Sequence, residues 1–266
     1  MSRRRTERLI VTKVTADGVR RGPDRLIVEE PMTIQLDGVT VSTTMRTPGH
    51  DFELAVGFCH TEGLLAGAPV EAIKYCGTGS AVETEFNVVS VDTLGRAPVP
   101  TPRLGTTSSS CGWCGSDQID ELTERLAPLD PADPFDLDVL AGVPHAVREQ
   151  QELFDDTGAV HAAAVFDRSG AVRLVREDVG RHNAVDKVVG AMLLAGELPA
   201  TDLGLFVSGR ASVEMVQKAW AAGFTAVVAV SAPTALAVAA ARRANLMLAG
   251  FVTDRGFNVY SPERVR

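Results

Sequence analysis

The sequence predicts an α/β protein in which a smaller β-rich part precedes an α/β domain with a mostly parallel sheet. Residues 203–207 and 226–231 are apolar runs of strand length, and each is followed by a short loop and an amphipathic helical segment. Such repeated units are typical of parallel sheets covered by helices. The first part instead has short strand-like segments between turn residues. We expect it to span 1–96, with a mobile loop at 97–115 and the α/β domain at 116–266.

The β-rich part contains a clear hairpin signal. Asp37-Gly38 separates two strand-like segments, and this dipeptide favours a two-residue type I′ turn. Asp51 is a suitable N-cap for a helix over 52–62, which Gly63 would end. The strands predicted for this part are 9–14, 26–30, 32–36, 39–45, 72–76 and 85–91.

The α/β domain is predicted to begin with a helix capped by Ser116 or Asp117. A hairpin follows, in which residues 160–166 and 172–176 are connected by a turn that contains Gly170. The remaining helices are predicted at 183–194, 213–221 and 235–243, and the remaining strands at 203–207, 226–231, 246–252 and 257–260.

The composition excludes several classes of protein. Of the 266 residues, 45% are hydrophobic and 23% are charged, which is ordinary for a globular chain. A formal net charge of −8 argues against a nucleic-acid partner. No apolar run approaches the roughly 20 residues of a membrane helix, so no membrane partner is expected. Arg3, Arg4 and Arg5 are not followed by the apolar region of a signal peptide, so we expect a cytoplasmic protein.

Cys111 and Cys114 form a Cys-x-x-Cys motif after a Ser/Thr-rich run. Zinc binding, dithiol exchange and sulfur carriage all use such a pair. A zinc site would need a second ligand pair at the usual spacing, and the sequence shows none. The motif for dithiol exchange ordinarily follows a buried strand, whereas a polar run precedes this one. Sulfur carriage suits a mobile thiol before a helix N-terminus, whose positive end favours the thiolate. Cys59 and Cys76 lie in apolar segments and are expected in the core.

A zinc nucleobase deaminase is a further alternative, because these enzymes combine His-x-Glu with Pro-Cys-x-x-Cys. His60 and Glu62 supply the first pattern, but Ser110 stands where the second needs proline. The two residues also fall at the end of their predicted helix and not at its start. The pattern therefore argues against this activity.

Basic loops in this acidic chain predict a site for a phosphate-bearing ligand. Ser208, Gly209 and Arg210 lie between a strand and a helix N-terminus, where backbone N–H groups bind anions. Arg181 and His182 open another helix after a strand. Ligands bind beyond the carboxyl ends of parallel strands, where these loops should lie. The basic residues that we expect to converge there are Arg181, Lys187, Arg210, Lys218 and Arg255.

Several segments resemble motifs of the FdhD family, the accessory sulfurtransferases of formate dehydrogenase. The resemblance extends over nearly the whole chain, and the block at 178–187 is its most specific part. The segments that carry the resemblance are 44–49, 54–58, 61–63, 111–115, 177–187, 208–210 and 231–234.

The resemblance implies a sulfurtransferase that takes sulfur from a cysteine desulfurase as a cysteine persulfide. It implies that this sulfur passes to the molybdenum bis(molybdopterin guanine dinucleotide) cofactor before the cofactor enters the formate dehydrogenase apoenzyme. The cofactor would be bound as a substrate through its GDP-like moieties, and the carrier would have no permanent metal of its own. Cys111 is implied as the persulfide cysteine and Cys114 as the second thiol.

The resemblance also implies a cytidine-deaminase-like α/β domain and a homodimer. The segment that contacts the guanine dinucleotide is implied to be Phe251, Val252, Thr253, Asp254, Arg255 and Gly256. To these the residue patterns add a second set of expected cofactor ligands, which are Ser208, Gly209, Arg210, Arg181, His182 and Lys187.

Overall fold

The computed structural model describes residues 4–75, 82, 84–100 and 125–262. Cys111, Cys114, most of the predicted loop and most of the helix predicted after it lie outside these residues. The described strands are β1 (Thr6–Thr15), β2 (Gly18–Ile27), β3 (Glu30–Leu36), β4 (Val39–Arg46), β5 (Ala72–Tyr75), β6 (Val88–Asp92), β7 (His161–Phe166), β8 (Val172–Asp178), β9 (Gly204–Val207), β10 (Ala226–Ala229), β11 (Met247–Thr253) and β12 (Gly256–Ser261). The described helices are α1 (Asp51–Thr61), α2 (Leu137–Arg148), α3 (Glu152–Thr157), α4 (Arg181–Ala195), α5 (Val213–Ala222) and α6 (Ala235–Ala244).

The β-rich part consists of a two-stranded ribbon, β1–β2, and a four-stranded sheet with the order β4-β3-β6-β5. Asp37 and Gly38 have φ values of 47° and 84°, as a type I′ turn requires, so the predicted hairpin is confirmed. The strand predicted at 26–30 is wrong, because β2 ends at Ile27 and β3 begins at Glu30. The chain leaves the ribbon and enters the sheet between these two residues.

The α/β part is built on a six-stranded sheet with the order β12-β11-β10-β9-β7-β8. The prediction of a mostly parallel sheet is wrong for the strand pairing, because β9–β10 and β10–β11 are parallel pairs whereas β7–β8, β7–β9 and β11–β12 are antiparallel. The sheet is therefore mixed. The cause is the position of β7 between β8 and β9, since the crossover through α4 joins two strands that point the same way without being neighbours.

Four strands of this sheet, β8 to β11, nevertheless share one direction. Their carboxyl ends meet at one edge, which we call the carboxyl edge. The helices α4, α5 and α6 begin there, as the repeated strand–loop–helix units predict. The amino ends of the two reversed strands, β7 and β12, lie at the same edge. The connections at the carboxyl edge are 179–180, 208–212, 230–234 and 254–255.

Helices cover both faces of the sheet. Alternate residues of the strands belong to two separate apolar clusters, as the pleat of a strand requires. Leu205 and Val207 pack with residues of α4, α5 and α6, and Phe166 and Phe206 pack with residues of α2. Within the described ranges, no helix has the length and apolar character that a membrane span requires.

The helices α1 and α4 join the β-rich part to the α/β part. A side chain at Gly57 would collide with the backbone carbonyl of Asp186, and one at Gly190 would collide with that of Glu53. The two backbones therefore touch directly, which only glycine allows at these positions. Because α4 begins at the carboxyl edge, this packing places the β-rich sheet beside that edge.

Candidate functional site

The loop between β9 and α5 carries Ser208, Gly209 and Arg210 at the carboxyl edge. Ser208 ties this loop to β7, because its backbone N–H donates to Ala162 O at 2.9 Å and its Oγ accepts from Ala162 N at 2.9 Å. Arg210 is exposed. An exposed guanidinium next to a helix N-terminus is a suitable ligand for an anion.

Arg181 and His182 begin α4, whose first turn contains no acidic residue. Asp178 fixes the approach to this helix, since its Oδ1 accepts from Gly180 N at 2.8 Å. Burial, together with the charges of Lys218 and Arg181, lowers the pKa of His182 to about 4. The imidazole is therefore neutral at pH 7, and Arg181 supplies the positive charge at this helix end.

The turn between β11 and β12 holds the segment expected to contact the guanine dinucleotide. Thr253 Oγ1 accepts from Arg255 N at 3.2 Å and donates to Gly256 O at 3.1 Å, which fixes the turn. Arg255 is exposed, and Phe251 is half-exposed with a φ of 55°. Val252, which the resemblance includes in this segment, is fully buried because strand residues alternate between faces.

Lys187 does not reach the surface of the carboxyl edge. Its side chain has no exposed area, and its Nζ lies 2.7 Å from Asp178 Oδ2 and donates to Thr47 O at 2.9 Å. Burial lowers the pKa of this ammonium more than the Asp178 carboxylate raises it. The ligand contact predicted for Lys187 is therefore wrong, because the group neutralises and holds a buried carboxylate.

A cavity of about 280 Å³ lies between the β-rich sheet, α1, α4 and α5. Lys218 lines it, but its Nζ donates to both oxygens of Asp186, at 2.9 and 3.0 Å, and to Glu62 Oε1 at 3.2 Å. Burial raises the pKa of Asp186 to about 6 against the effect of the Lys218 charge. Lys218 thus serves a buried network, and its predicted place among the phosphate ligands is wrong. The acidic residues of the cavity wall are Glu29, Glu62, Asp186 and Glu214.

The two residues of the deaminase-like pattern are engaged separately. His60 Nε2 lies 3.1 Å from Ala221 O, and Glu62 Oε1 accepts from Lys218. In the part of the chain that the structure describes, no group of histidine, cysteine, aspartate and glutamate side chains is arranged to hold a metal ion.

Of the four cysteines, the described residues include Cys59. Cys59 is fully buried in α1, so the prediction that it belongs to the core is confirmed. Burial raises the pKa of its thiol to about 12, which keeps it protonated and unreactive. Cys76, Cys111 and Cys114 lie outside the described residues. The described chain resumes at Arg125, whose Nη2 donates to Glu62 O at 2.6 Å.

His161 is a residue of the carboxyl edge that the sequence analysis missed. It begins β7, lies opposite Asp178 of β8, and places its Nδ1 3.5 Å from Ser208 Oγ. The predicted hairpin of 160–166 with 172–176 contained the necessary signal. Antiparallel pairing brings the start of the first strand to the end of the second, where the anion-binding loops lie.

Comparison with known proteins identifies the family. The sequence model of the FdhD/NarQ family matches residues 27–266. A protein of Corynebacterium efficiens named "Sulfur carrier protein FdhD" is 44% identical over 263 residues, which cover 96% of this chain and 95% of the relative. A protein of Streptomyces avermitilis with the same name is 44% identical over 267 residues, which cover 97% and 94%.

The fold also has a counterpart among solved structures. A crystal structure described as a "putative formate dehydrogenase accessory protein" from Desulfotalea psychrophila matches with a TM-score of 0.78 and 23% identity. The match covers 99% of this chain and all of the other. With a family match over nearly the whole sequence and relatives of more than 40% identity, this chain belongs to the FdhD/NarQ family.

Proposed function

We propose that this protein is a sulfurtransferase that carries sulfur from a cysteine desulfurase to the molybdenum bis(molybdopterin guanine dinucleotide) cofactor of formate dehydrogenase. Relatives that match along the whole chain are named sulfur carriers, which supports the first half of this proposal. The cations at the carboxyl edge support the second half, because the cofactor is strongly anionic.

Sulfur is proposed to travel on Cys111. Its thiolate attacks the terminal sulfur of the donor's persulfide, a new S–S bond forms on Cys111, and the donor's cysteine leaves as a thiolate. Cys114 is the second thiol of the proposed relay. The contrast with Cys59 supports this assignment, since burial makes that thiol unfit for nucleophilic attack.

The observation that carries the cofactor half of the proposal is that three exposed or partly exposed arginines lie along the same edge of the sheet, the carboxyl edge. Arg210 and Arg255 lie in the connections after β9 and β11, and Arg181 begins the helix after β8; these three strands share one direction. Arginine forms paired hydrogen bonds with phosphate oxygens. The half-exposed ring of Phe251 offers a surface on which a guanine base can stack.

The proposed assembly is a cytoplasmic homodimer that meets the desulfurase and the dehydrogenase apoenzyme in turn. Two copies would hold the two guanine dinucleotide arms of one cofactor, one arm for each subunit. We likewise propose that the α/β part has a cytidine-deaminase-like fold.

Mass spectrometry after incubation with a cysteine desulfurase and cysteine tests the sulfur relay. We expect added sulfur on the peptide that contains Cys111 and none on the peptide that contains Cys59, because only the former is proposed to react. Cys111→Ser should lose the added sulfur and fail to activate formate dehydrogenase. Cys114→Ser is the matched control and should still be loaded at Cys111.

The relay would be refuted if Cys111 gained no sulfur while the desulfurase released sulfide in the same mixture. Stoichiometric zinc in the purified protein would instead support a structural role for Cys111 and Cys114. Urea unfolding of Cys111→Ser distinguishes the sulfur relay from the structural role further. Removing one member of a structural pair destabilises the protein, whereas removing a sulfur-carrying thiol should not.

A further inference from the structure

The ribbon β1–β2 has an exposed surface that the proposed function does not use. Each strand has 10 residues, none of them buried, and spans roughly 33 Å. The ribbon is attached near its base, where Val28 N donates to Arg5 O at 2.9 Å and Arg25 Nη1 lies 2.5 Å from Asp156 Oδ1. A two-stranded ribbon is only marginally stable alone in water. A partner that covers this one would stabilise it.

One face of the ribbon is apolar along its middle and towards its tip. Residues directly opposite each other in antiparallel strands point to the same face. Val14 lies opposite Val19 on this face, and Ile10 lies on the same side two pairs away. Their side chains are 74%, 71% and 60% exposed in that order. Exposed apolar patches mark interaction sites. We call this side the apolar–basic face, and its principal residues are Arg8, Ile10, Val14, Val19, Arg21 and Arg25.

The charges on the apolar–basic face all have the same sign. Arg8 lies directly opposite Arg25, and Arg21 lies further along the same face. Arg25 is paired with a carboxylate of α3, but Arg8 and Arg21 form no ion pair within the part of the chain that the structure describes. Like charges opposite each other destabilise a sheet, and carboxylates from a partner would relieve this repulsion. The other face differs, because Lys13 there pairs with Asp24 at 3.4 Å.

The charge distribution along the chain indicates an acidic protein as the partner. Residues 1–27 contain eight of the 26 basic residues but three of the 34 acidic ones. Such a separation favours association with a surface of opposite charge. A nucleic-acid backbone would leave the apolar side chains uncovered, and Asp17, in the turn at the tip, would repel anionic lipid headgroups. The face therefore fits a protein surface that has carboxylates around an apolar centre.

The ribbon is attached at the carboxyl edge. The helix α3 is held to the end of β8, because Leu153 N and Phe154 N donate to the two carboxylate oxygens of Glu177, at 2.8 and 2.9 Å. The ion pair of Arg25 with Asp156 holds the ribbon to this helix. A protein docked on the ribbon would therefore stand beside the loops proposed to bind the cofactor. This position suits the protein that receives the cofactor.

We propose that the apolar–basic face of the ribbon docks the formate dehydrogenase apoenzyme through an acidic surface with an apolar centre. The inference rests on the proposed function, which supplies this partner. Long-range attraction by the arginines speeds the encounter, and burial of Ile10, Val14 and Val19 holds the complex together.

Biolayer interferometry of the full chain on immobilised formate dehydrogenase apoenzyme tests the docking site. Arg21→Glu reverses a charge on the apolar–basic face and should weaken binding about tenfold. Arg20→Glu is the matched control, because Arg20 lies opposite Lys13 on the other face, and it should change the affinity less than about twofold. Val14→Thr replaces a methyl group by a hydroxyl at nearly the same volume and should weaken binding several-fold. The affinity of the wild type should fall as the salt concentration rises.

Three results would overturn the docking site: no binding of the wild type, unchanged binding in Arg21→Glu, or equal losses in Arg21→Glu and Arg20→Glu. Far-ultraviolet circular dichroism confirms that each variant is folded. Sedimentation velocity tests a second copy as the occupant, and flotation with phosphatidylglycerol vesicles tests a membrane. A dimer that Arg21→Glu dissociates, or vesicle binding that it abolishes, would also refute the proposal.

Sulfur loading of Cys111 by the desulfurase distinguishes this inference from the proposed function. Loading should be the same in Arg21→Glu and in the wild type, because the ribbon is proposed to meet the apoenzyme and not the donor. Normal loading of a wild type that does not bind the apoenzyme would refute the docking site and leave the sulfur relay standing.

Discussion

Two sets of basic residues in this protein differ in what surrounds them. In the buried set each side chain binds a carboxylate inside the protein; the pairs are Arg46–Asp51, Lys187–Asp178 and Lys218–Asp186. In the exposed set, Arg210 and Arg255 stand at the carboxyl edge and form no ion pair with any residue in the described ranges. Burying a cation without a carboxylate would be strongly unfavourable, whereas an exposed cation is solvated by water and is available to bind an anionic ligand.

The motif at 177–187 contains one basic residue that a ligand can reach and one that is paired with a carboxylate inside the protein. Arg181 and Lys187 are six residues apart on α4, which at about 100° per residue places them roughly 120° apart around the helix. Arg181 is partly exposed at the helix start, and Lys187 is fully enclosed. Sequence proximity to a binding loop is therefore not evidence that a lysine or arginine contacts the ligand.

The largest expected effect is that of Lys187→Met on stability. The variant leaves the buried Asp178 carboxylate without its counterion, and breaking a buried pair costs about 3–5 kcal/mol. We expect the free energy of unfolding, measured by urea titration, to fall by this amount. The double variant Lys187→Met/Asp178→Asn removes the unpaired charge and should recover part of the loss. Unchanged stability with weakened GDP binding would restore Lys187 as a ligand.

The parts of the fold that depend on neighbouring residues could be predicted from sequence. Asp37-Gly38 fixes its turn locally, and the helices at 213–222 and 235–244 follow from their own apolar periodicity. The place of β7 between β8 and β9 could not be predicted, because it depends on which distant strand pairs with β7. No element was predicted between 127 and 159, where Pro144 inside α2 conceals the helical spacing of its buried apolar residues.

The candidate site could be predicted in part for the same reason. Loops that follow strands of one direction lie at one edge, so the position of Arg210 follows from its strand–loop–helix unit, and that of Arg255 follows from the strand β11 that ends just before it. The burial of Val252 and Lys187 could not be predicted, since it depends on packing between segments distant in sequence. His161 was missed because the rule that places ligands at carboxyl ends overlooks the amino end of a reversed strand.

The ion pair between Glu53 and Arg176 is intermediate in burial. Removing it should change the free energy of unfolding by an amount between those expected for the buried set and the exposed set. Its side chains are 20% and 18% exposed, and Arg176 donates to both Glu53 oxygens, at 2.6 and 2.8 Å. Burial acts to raise the pKa of Glu53, but hydrogen bonds and charges from Arg176 and His50 outweigh it and lower the pKa to about 2.

The stabilisation from this pair should therefore depend on pH. It is complete above the ordinary value of 4.5 and is lost as the pH falls toward 2, because the unfolded chain takes up the proton first. We expect Glu53→Gln to lose roughly 2–3 kcal/mol of unfolding free energy near neutral pH and little at the acid end. Urea titrations of both proteins across this range measure the difference, and parallel curves would contradict the assignment.

The smallest expected effect on stability is that of Arg255→Ala, which should change the free energy of unfolding by less than about 0.5 kcal/mol. Its guanidinium is exposed, so removing it leaves no buried group without a partner. GDP binding should nevertheless weaken, and the loss should shrink at high salt because the contact is electrostatic. Arg20→Ala, exposed on the ribbon, is the matched control and should affect neither property. If Arg255→Ala destabilised the protein as strongly as Lys187→Met, exposure would not separate ligand cations from structural ones, and the division between the two sets would fail.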